Sequence, residues 1–339
     1  MLLRAFAMAA GLAAITSSAV AAENCRLMRA ASLPTAKTAD GRLLVDLGVN
    51  GKPEKLLVAS GDSTTYLDPG FVQANGLTWE DHGNSVGYGL SWKTLNGTVR
   101  IGELKIGDVA FQDETVHFGN VQDVGGNAVG GMANDVLSSF DVELDPAAGR
   151  INFFLHEHCT GKVVYWADEY SRLPLYLSGG HALQAAGIGG DDEGVVAGHR
   201  PDIQITLDGQ TMWARIDTGL GMTSLRAGVA QRVYGIERTA ADAQGQISGA
   251  DGVKIATFTH RFHSLTIGDY TVNDPEIQIA DIDVGARRLG TGSHLTQGVG
   301  QADIYLGMSL LKQFHMFIAY SEPALYLTPA SASKAVPTN

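Results

Sequence analysis

Asp217-Thr218-Gly219-Leu220-Gly221-Met222-Thr223 closes one apolar segment of the chain, and Ala59-Ser60-Gly61-Asp62-Ser63-Thr64-Thr65 closes another; the two align without a gap. Each follows a short hairpin. In the first copy Leu43-Leu44-Val45-Asp46-Leu47 leads through Asn50-Gly51 into the apolar segment, and in the second Pro201-Asp202-Ile203-Gln204-Ile205 leads through Asp208-Gly209. Asn-Gly and Asp-Gly tolerate the left-handed backbone that a two-residue turn needs, so both copies read as strand, tight turn, strand.

The match continues in the same order downstream. Each copy has a Gly-rich polar stretch, Gly83 to Gly97 and Gly245 to Gly252, then a hairpin turning at Ile106-Gly107-Asp108 or Ile267-Gly268-Asp269. Each then closes on an apolar-Gly signature and a further hairpin, from Ala128-Val129-Gly130-Gly131-Met132 to Phe153 and from Tyr305-Leu306-Gly307-Met308 to Leu327. This order across residues 42–154 and 201–329 identifies an internal duplication. The expected division is a first lobe at 42–158, a linker at 159–200 and a second lobe at 201–330, with an N-terminal segment at 23–41 and a frayed tail at 331–339. Gly187 to Gly194 has neither the preceding strand nor the following helix of a dinucleotide loop, and reads as a flexible connector.

Composition limits the function. Among 339 residues there are 36 acidic and 24 basic side chains, a formal charge of −12, which repels phosphate backbones and excludes nucleic acid as a partner. The high glycine count of 42 favours many tight turns over long helices. Residues 1–22 carry Arg4, an apolar run from Ala5 to Ile15 and the small residues Ser17 to Ala22, the pattern of a cleaved secretory signal. Glu23 and Asn24 before Cys25 argue against lipid attachment there. The mature chain is expected to be exported, periplasmic or extracellular, with no membrane insertion after cleavage. An oxidising compartment lets the two cysteines, Cys25 and Cys159, pair as one disulfide. In His156-Glu157-His158-Cys159, strand alternation would put the histidines opposite the cysteine, so no metal site is expected and the histidines read as solvated. His260 and His263 likewise read as exposed strand or loop residues.

Ile216-Asp217-Thr218-Gly219 with Tyr305-Leu306-Gly307 far downstream resembles the retropepsin-like aspartic peptidases, and the resemblance covers both repeats. It is nearest to exported, duplicated bacterial members whose linker carries a sequence like Cys159-Thr160-Gly161-Lys162-Val163-Val164-Tyr165-Trp166. The resemblance implies an all-β, bilobal acid-protease fold of two β-barrel lobes, with peptide or protein as substrate and no cofactor. It implies that Asp217 sits on a tight loop, that Thr218 hydrogen-bonds to the other lobe, and that Gly219 permits close backbone approach. Ala59, Ser60 and Gly61 are then the matching loop of the first lobe. The Gly-rich stretches become flaps, with Tyr88 and Trp92 as substrate contacts.

Such enzymes need two carboxylates, one ionised to activate water and one protonated to donate to the scissile carbonyl. Ala59 stands opposite Asp217, so half of that pair is missing. A three-residue shift would set Asp62 there instead, but it puts Thr64 where the loop wants glycine and breaks the match of Thr65 with Thr223. Three readings follow: a weak endopeptidase using Asp217 with Asp62 as substitute partner, a pseudo-peptidase that binds peptides without cutting, and a β scaffold or small-ligand binder in which Asp217 is a buried loop residue. The lobes are expected to pair within a monomer; a dimer joining two Asp217 loops would require that pairing to open.

Overall fold

The computed structural model describes residues 26–88, 93–118, 125, 127–178, 199–237, 245–248, 254–282 and 302–332. The chain opens on β1 (Arg29–Lys37) and the hairpin of β2 (Leu43–Val49) with β3 (Lys52–Val58). The turn residues Asn50 and Gly51 have φ of 50° and 77°, both left-handed as a two-residue hairpin demands. β4 (Tyr66–Leu67), α1 (Pro69–Ala74), β5 (Trp79–Tyr88), β6 (Lys93–Ile106), β7 (Val109–Phe118) and β8 (Gly130–Met132) follow. Hydrogen bonds run in the order β2-β3-β8-β4-β7-β6 and return from β6 to β2, closing a six-stranded barrel around an apolar interior. β5 extends the β6 edge as an antiparallel hairpin.

α2 (Asn134–Leu137) and the hairpin of β9 (Asp141–Asp145) with β10 (Arg150–Phe154) end the first copy. The expected linker is not all connector, because it contains β11 (Ser171–Pro174) and β12 (Tyr176–Ser178). The second copy starts with β13 (Arg200–Leu207) and β14 (Gln210–Ile216), joined by Asp208 and Gly209 at φ of 44° and 77°. β15 (Ser224–Arg226), α3 (Ala227–Tyr234), β16 (Gly245–Ser248), β17 (Lys254–Arg261), β18 (Ser264–Ile267), β19 (Tyr270–Asn273) and β20 (Glu276–Ala280) come next. β21 (Ile304–Leu306), α4 (Met308–Leu311), β22 (Phe314–Ala319) and β23 (Ala324–Pro329) complete it. Where the first lobe has continuous β6 and β7, the second breaks them at Phe262-His263 and at Asp274-Pro275. Proline lacks the N–H a continuous ladder would use, yet its carbonyl accepts from Phe262 at 3.1 Å and carries the pairing across the break.

The lobes share a sheet ordered β11-β23-β22-β9-β10-β1. β22 from the second copy pairs antiparallel with β9 from the first, Phe317 opposite Glu143, so the boundary at residue 200 does not separate the two halves in space. One side of this sheet sets polar groups among the apolar side chains of Phe154, Phe317 and Tyr326. Buried Glu143 accepts hydrogen bonds from His315 (2.6 Å), Asn152 (2.7 Å) and Tyr165 (2.6 Å), satisfying a carboxylate that would otherwise be costly to bury. Trp166 caps the cluster, fully buried, stacked on His315 at 4.0 Å and donating through Nε1 to Thr328 at 3.0 Å.

Two expectations are corrected. β10 ends at Phe154, so strand alternation does not extend through His156 to Cys159. His158 is buried rather than solvated, with Nε2 on the Asp141 carboxylate, while His156 stays 40% exposed. Of the expected tail, Ser331 and Ala332 belong to a 3₁₀ turn with Ala330, and residues 333–339 lie outside the described residues. Residues 187–194 lie outside the described set.

Trp166→Ala removes the cap from the shared sheet and leaves a large cavity. Equilibrium denaturation is expected to show a loss of about 3–5 kcal/mol, and a change below about 1 kcal/mol would contradict this role.

Candidate functional site

The strands β3 and β14 end in the two loops aligned at the outset, and the loops meet through a reciprocal set of bonds. The Ser60 hydroxyl donates to the Ile216 carbonyl (2.9 Å) and accepts from the Thr218 N–H (3.1 Å). The Thr218 hydroxyl donates to the Val58 carbonyl (2.6 Å) and accepts from the Ser60 N–H (3.2 Å). Both residues are buried, so each bond replaces water that neither loop can reach.

Neighbouring bonds repeat from lobe to lobe. Ala59 N–H donates to Met132 of β8 at 2.9 Å, and Asp217 N–H to Leu306 of β21 at 3.0 Å. Asp62 N–H returns to the Ala59 carbonyl as Leu220 N–H returns to that of Asp217. Thr65 accepts from Ala133 N–H and Thr223 from Gly307 N–H. These pairs fix the ungapped correspondence: Asp62 matches Leu220, and Ala59 holds in the first lobe the place that Asp217 holds in the second.

Asp217 accepts from the Gly219 N–H at 3.0 Å, and its carboxyl group lies directly over Gly61 of the other loop. A Cβ added to Gly61 would come within 2.2 Å of that group. The mirror contact sets Gly219 against Ala59, where an added Cβ would lie 3.6 Å from the alanine. Each glycine therefore makes room for the residue of the opposite lobe, and one of those residues is a methyl group. Burial pushes the Asp217 carboxyl up to about 6, against the lowering influence of Arg215, the Gly219 N–H, Arg42 and Arg200.

The three arginines escape a reading of motifs, because an arginine on a strand looks like surface until the register is known. Arg215 is buried and forked onto Asp202 (2.8 and 3.0 Å), and Arg42 is buried and bound through Nε to Asp40. Asp62 is partly exposed and acts electrostatically on Arg200. Asn134 was also missed. Its buried amide donates to the carbonyls of Ser60 and Asp62, both at 2.6 Å, and accepts from Tyr320 at 2.7 Å, tying the first loop to the shared sheet.

Tyr88 ends β5, and its side chain, like Trp92 and Cys25, lies outside the described residues; Cys159 is disulfide-bonded. Among the described residues no cluster of His, Cys, Asp or Glu has the arrangement of a metal site. His260 is part-buried against Phe262, while His263 is exposed. Ser321, His158 and Asp141 are in contact, but the serine hydroxyl donates to Asp141 and the same histidine nitrogen serves both partners, so the imidazole is not set to activate the serine.

Residues 203–310 match the model of a family described as aspartyl protease. Among solved structures the chain is similar to the aspartic proteinase from Irpex lacteus, at 13% identity, covering 91% of this chain and 99% of that one with a TM-score of 0.48. It is also similar to Basic 7S globulin from soybean, at 12% identity, covering 93% of this chain and 100% of that one with a TM-score of 0.47. No curated protein matches the chain.

The raised Asp217 carboxyl has a consequence for stability. An unfolded chain ionises it near the ordinary 3.8, the folded chain only near 6, so stability falls as pH rises between these values and the full cost applies above them. Asp217→Asn is expected to stabilise the fold at pH 7.5 by up to about 3 kcal/mol and to give no gain at pH 3.5. Urea denaturation at both pH values checks this, and a gain of equal size at both would contradict it.

Proposed function

We propose that this chain, a retropepsin-like aspartic peptidase homologue by the match across residues 203–310, binds peptides in the cleft between its lobes without hydrolysing them. The observation that carries this reading is the buried Ala59 methyl in the counterpart position of Asp217, with both loops otherwise held in full. Peptide hydrolysis by this route needs a base and an acid at the same moment. Asp217 supplies one of them at any given pH, and its carboxyl near 6 sets which. Asp62 corresponds to Leu220 and is engaged electrostatically with Arg200, which argues against its serving as the second acid.

Loss of one general acid or base costs roughly 10²–10⁴ in rate. The binding surface does not depend on the missing group, so a cleft that still closes loop on loop retains its recognition role. The leader at residues 1–22 supports export, and disulfide-bonded Cys159 fits an oxidising compartment. Lobe pairing within one chain supports a monomer.

The test is a diverse peptide library offered to the full mature chain between pH 3 and 7, scored for both retention and cleavage. Retained, uncut peptides are expected from the natural chain, and Ala59→Asp is expected to introduce acid-dependent cleavage that Asp217→Ala removes again. Cleavage by the natural chain that disappears in Asp217→Ala would overturn the non-hydrolytic reading.

A further inference from the structure

The two lobes have the same backbone beneath their loops and different chemistry on it. In the first lobe, register places Leu44 opposite Leu57, Leu57 beside Gly131, and Gly131 opposite Tyr66. The corresponding row in the second lobe is Asp202, Arg215, Tyr305 and Ser224. Tyrosine has changed strands between the copies. The Tyr66 ring fills the space over Gly131, where a Cβ would come within 2.5 Å of it, whereas Tyr305 stands in the position of that glycine. One half of this buried layer beneath the loops is thus apolar and the other polar and charged.

Two residues before Leu44 and Asp202, on the same faces, stand Arg42 and Arg200, counterparts in the duplication. Both act electrostatically on Asp217. Their remaining interactions differ. Arg42 is held by Asp40 through Nε but leaves Nη1 buried without a hydrogen-bond partner, and Arg215 is neutralised by its fork onto Asp202. Arg200 Nε is buried with no hydrogen-bond partner, and no described residue forms a salt bridge with this side chain. Arg200 is part-buried as a residue: Nε is enclosed, and the two Nη nitrogens, which are not enclosed with it, are the atoms open to a ligand. Asp62 and Asp202 lie within electrostatic reach of it without a hydrogen bond, and neither takes up the guanidinium donors.

A guanidinium set in a low-dielectric wall with a donor unused is matched by a carboxylate, which accepts two parallel N–H bonds. We infer that Arg200 is the specificity-determining residue of the cleft and that it selects peptides carrying a carboxylate, either an acidic side chain or a free C-terminus. This inference rests on the peptide-binding reading above.

The experiment compares fluorescent peptides retained by the full mature chain with matched partners in which Glu or Asp is replaced by Gln or Asn, and with partners whose C-terminal carboxylate is amidated. Fluorescence anisotropy is expected to show binding weaker by about tenfold for one of the two replacements, which identifies the source of the carboxylate. Arg200→Gln is expected to bring the acidic peptide down to the affinity of its neutral partner, and Arg200→Lys to keep part of the difference. Should Arg200→Gln not fold, Arg200→Lys serves instead: exchanging the planar fork for a single ammonium then has to narrow the acidic-over-neutral preference of the natural chain. Equal binding of acidic and neutral peptides, or a preference that survives Arg200→Gln, overturns the inference and leaves peptide binding intact. Absence of binding by every peptide overturns the cleft reading and this inference with it.

Discussion

Everything in the cleft depends on two hydroxyl groups that each bind the other lobe. Ser60 and Thr218 both donate to a carbonyl at the end of the opposite strand and both accept a backbone N–H in return. In a water-free position these four bonds have no competitor, and their geometry brings the loop glycines face to face with the opposite chain. The contacts of Gly61 with Asp217 and of Gly219 with Ala59 follow from that approach. Serine in place of threonine at one of the two positions costs a methyl group and no hydrogen bond, which is why the grip survives divergence of the copies.

Divergence has instead acted on the groups that the grip holds in place. A methyl replaces a carboxyl at Ala59, leucines stand where the other lobe has Asp202 and Arg215, and a glycine stands where it has Tyr305. None of these changes alters the strand order. The two-residue turns and the parallel β3–β8 and β14–β21 pairs that carry the loops are common to both lobes. Fold and chemistry are therefore specified by separate residues, and the second has changed while the first has been kept.

How much of this was legible in the sequence follows the range of the interactions. Asn50-Gly51 and Asp208-Gly209 announce their turns because the constraint is local to two residues, and the loop correspondence is legible because both copies keep hydroxyl and glycine at matched positions. The shared sheet was not legible, since nothing near Phe317 states that it lies opposite Glu143, a strand from the far half of the chain. His158 looked solvated because its partner Asp141 is reached only after the chain has folded back. Arg200 and Arg42 needed the strand register, which turns two ordinary charged residues into counterparts beside one carboxyl group. Asn134 gave no signal at all, because a buried amide that holds a loop has the same residue type as one that caps a turn.

The tie from Tyr320 through Asn134 to the carbonyls of Ser60 and Asp62 also sets an order in time. A ribosome delivers the first lobe long before it delivers residue 320, and nascent chains tend to fold from the N-terminus as they emerge. The barrel can close early, but its loop has no partner hydroxyl until residue 218 has been made and no anchor until residue 320. The junction of the two loops is accordingly the last part of the molecule to be completed, after both hairpins that it joins.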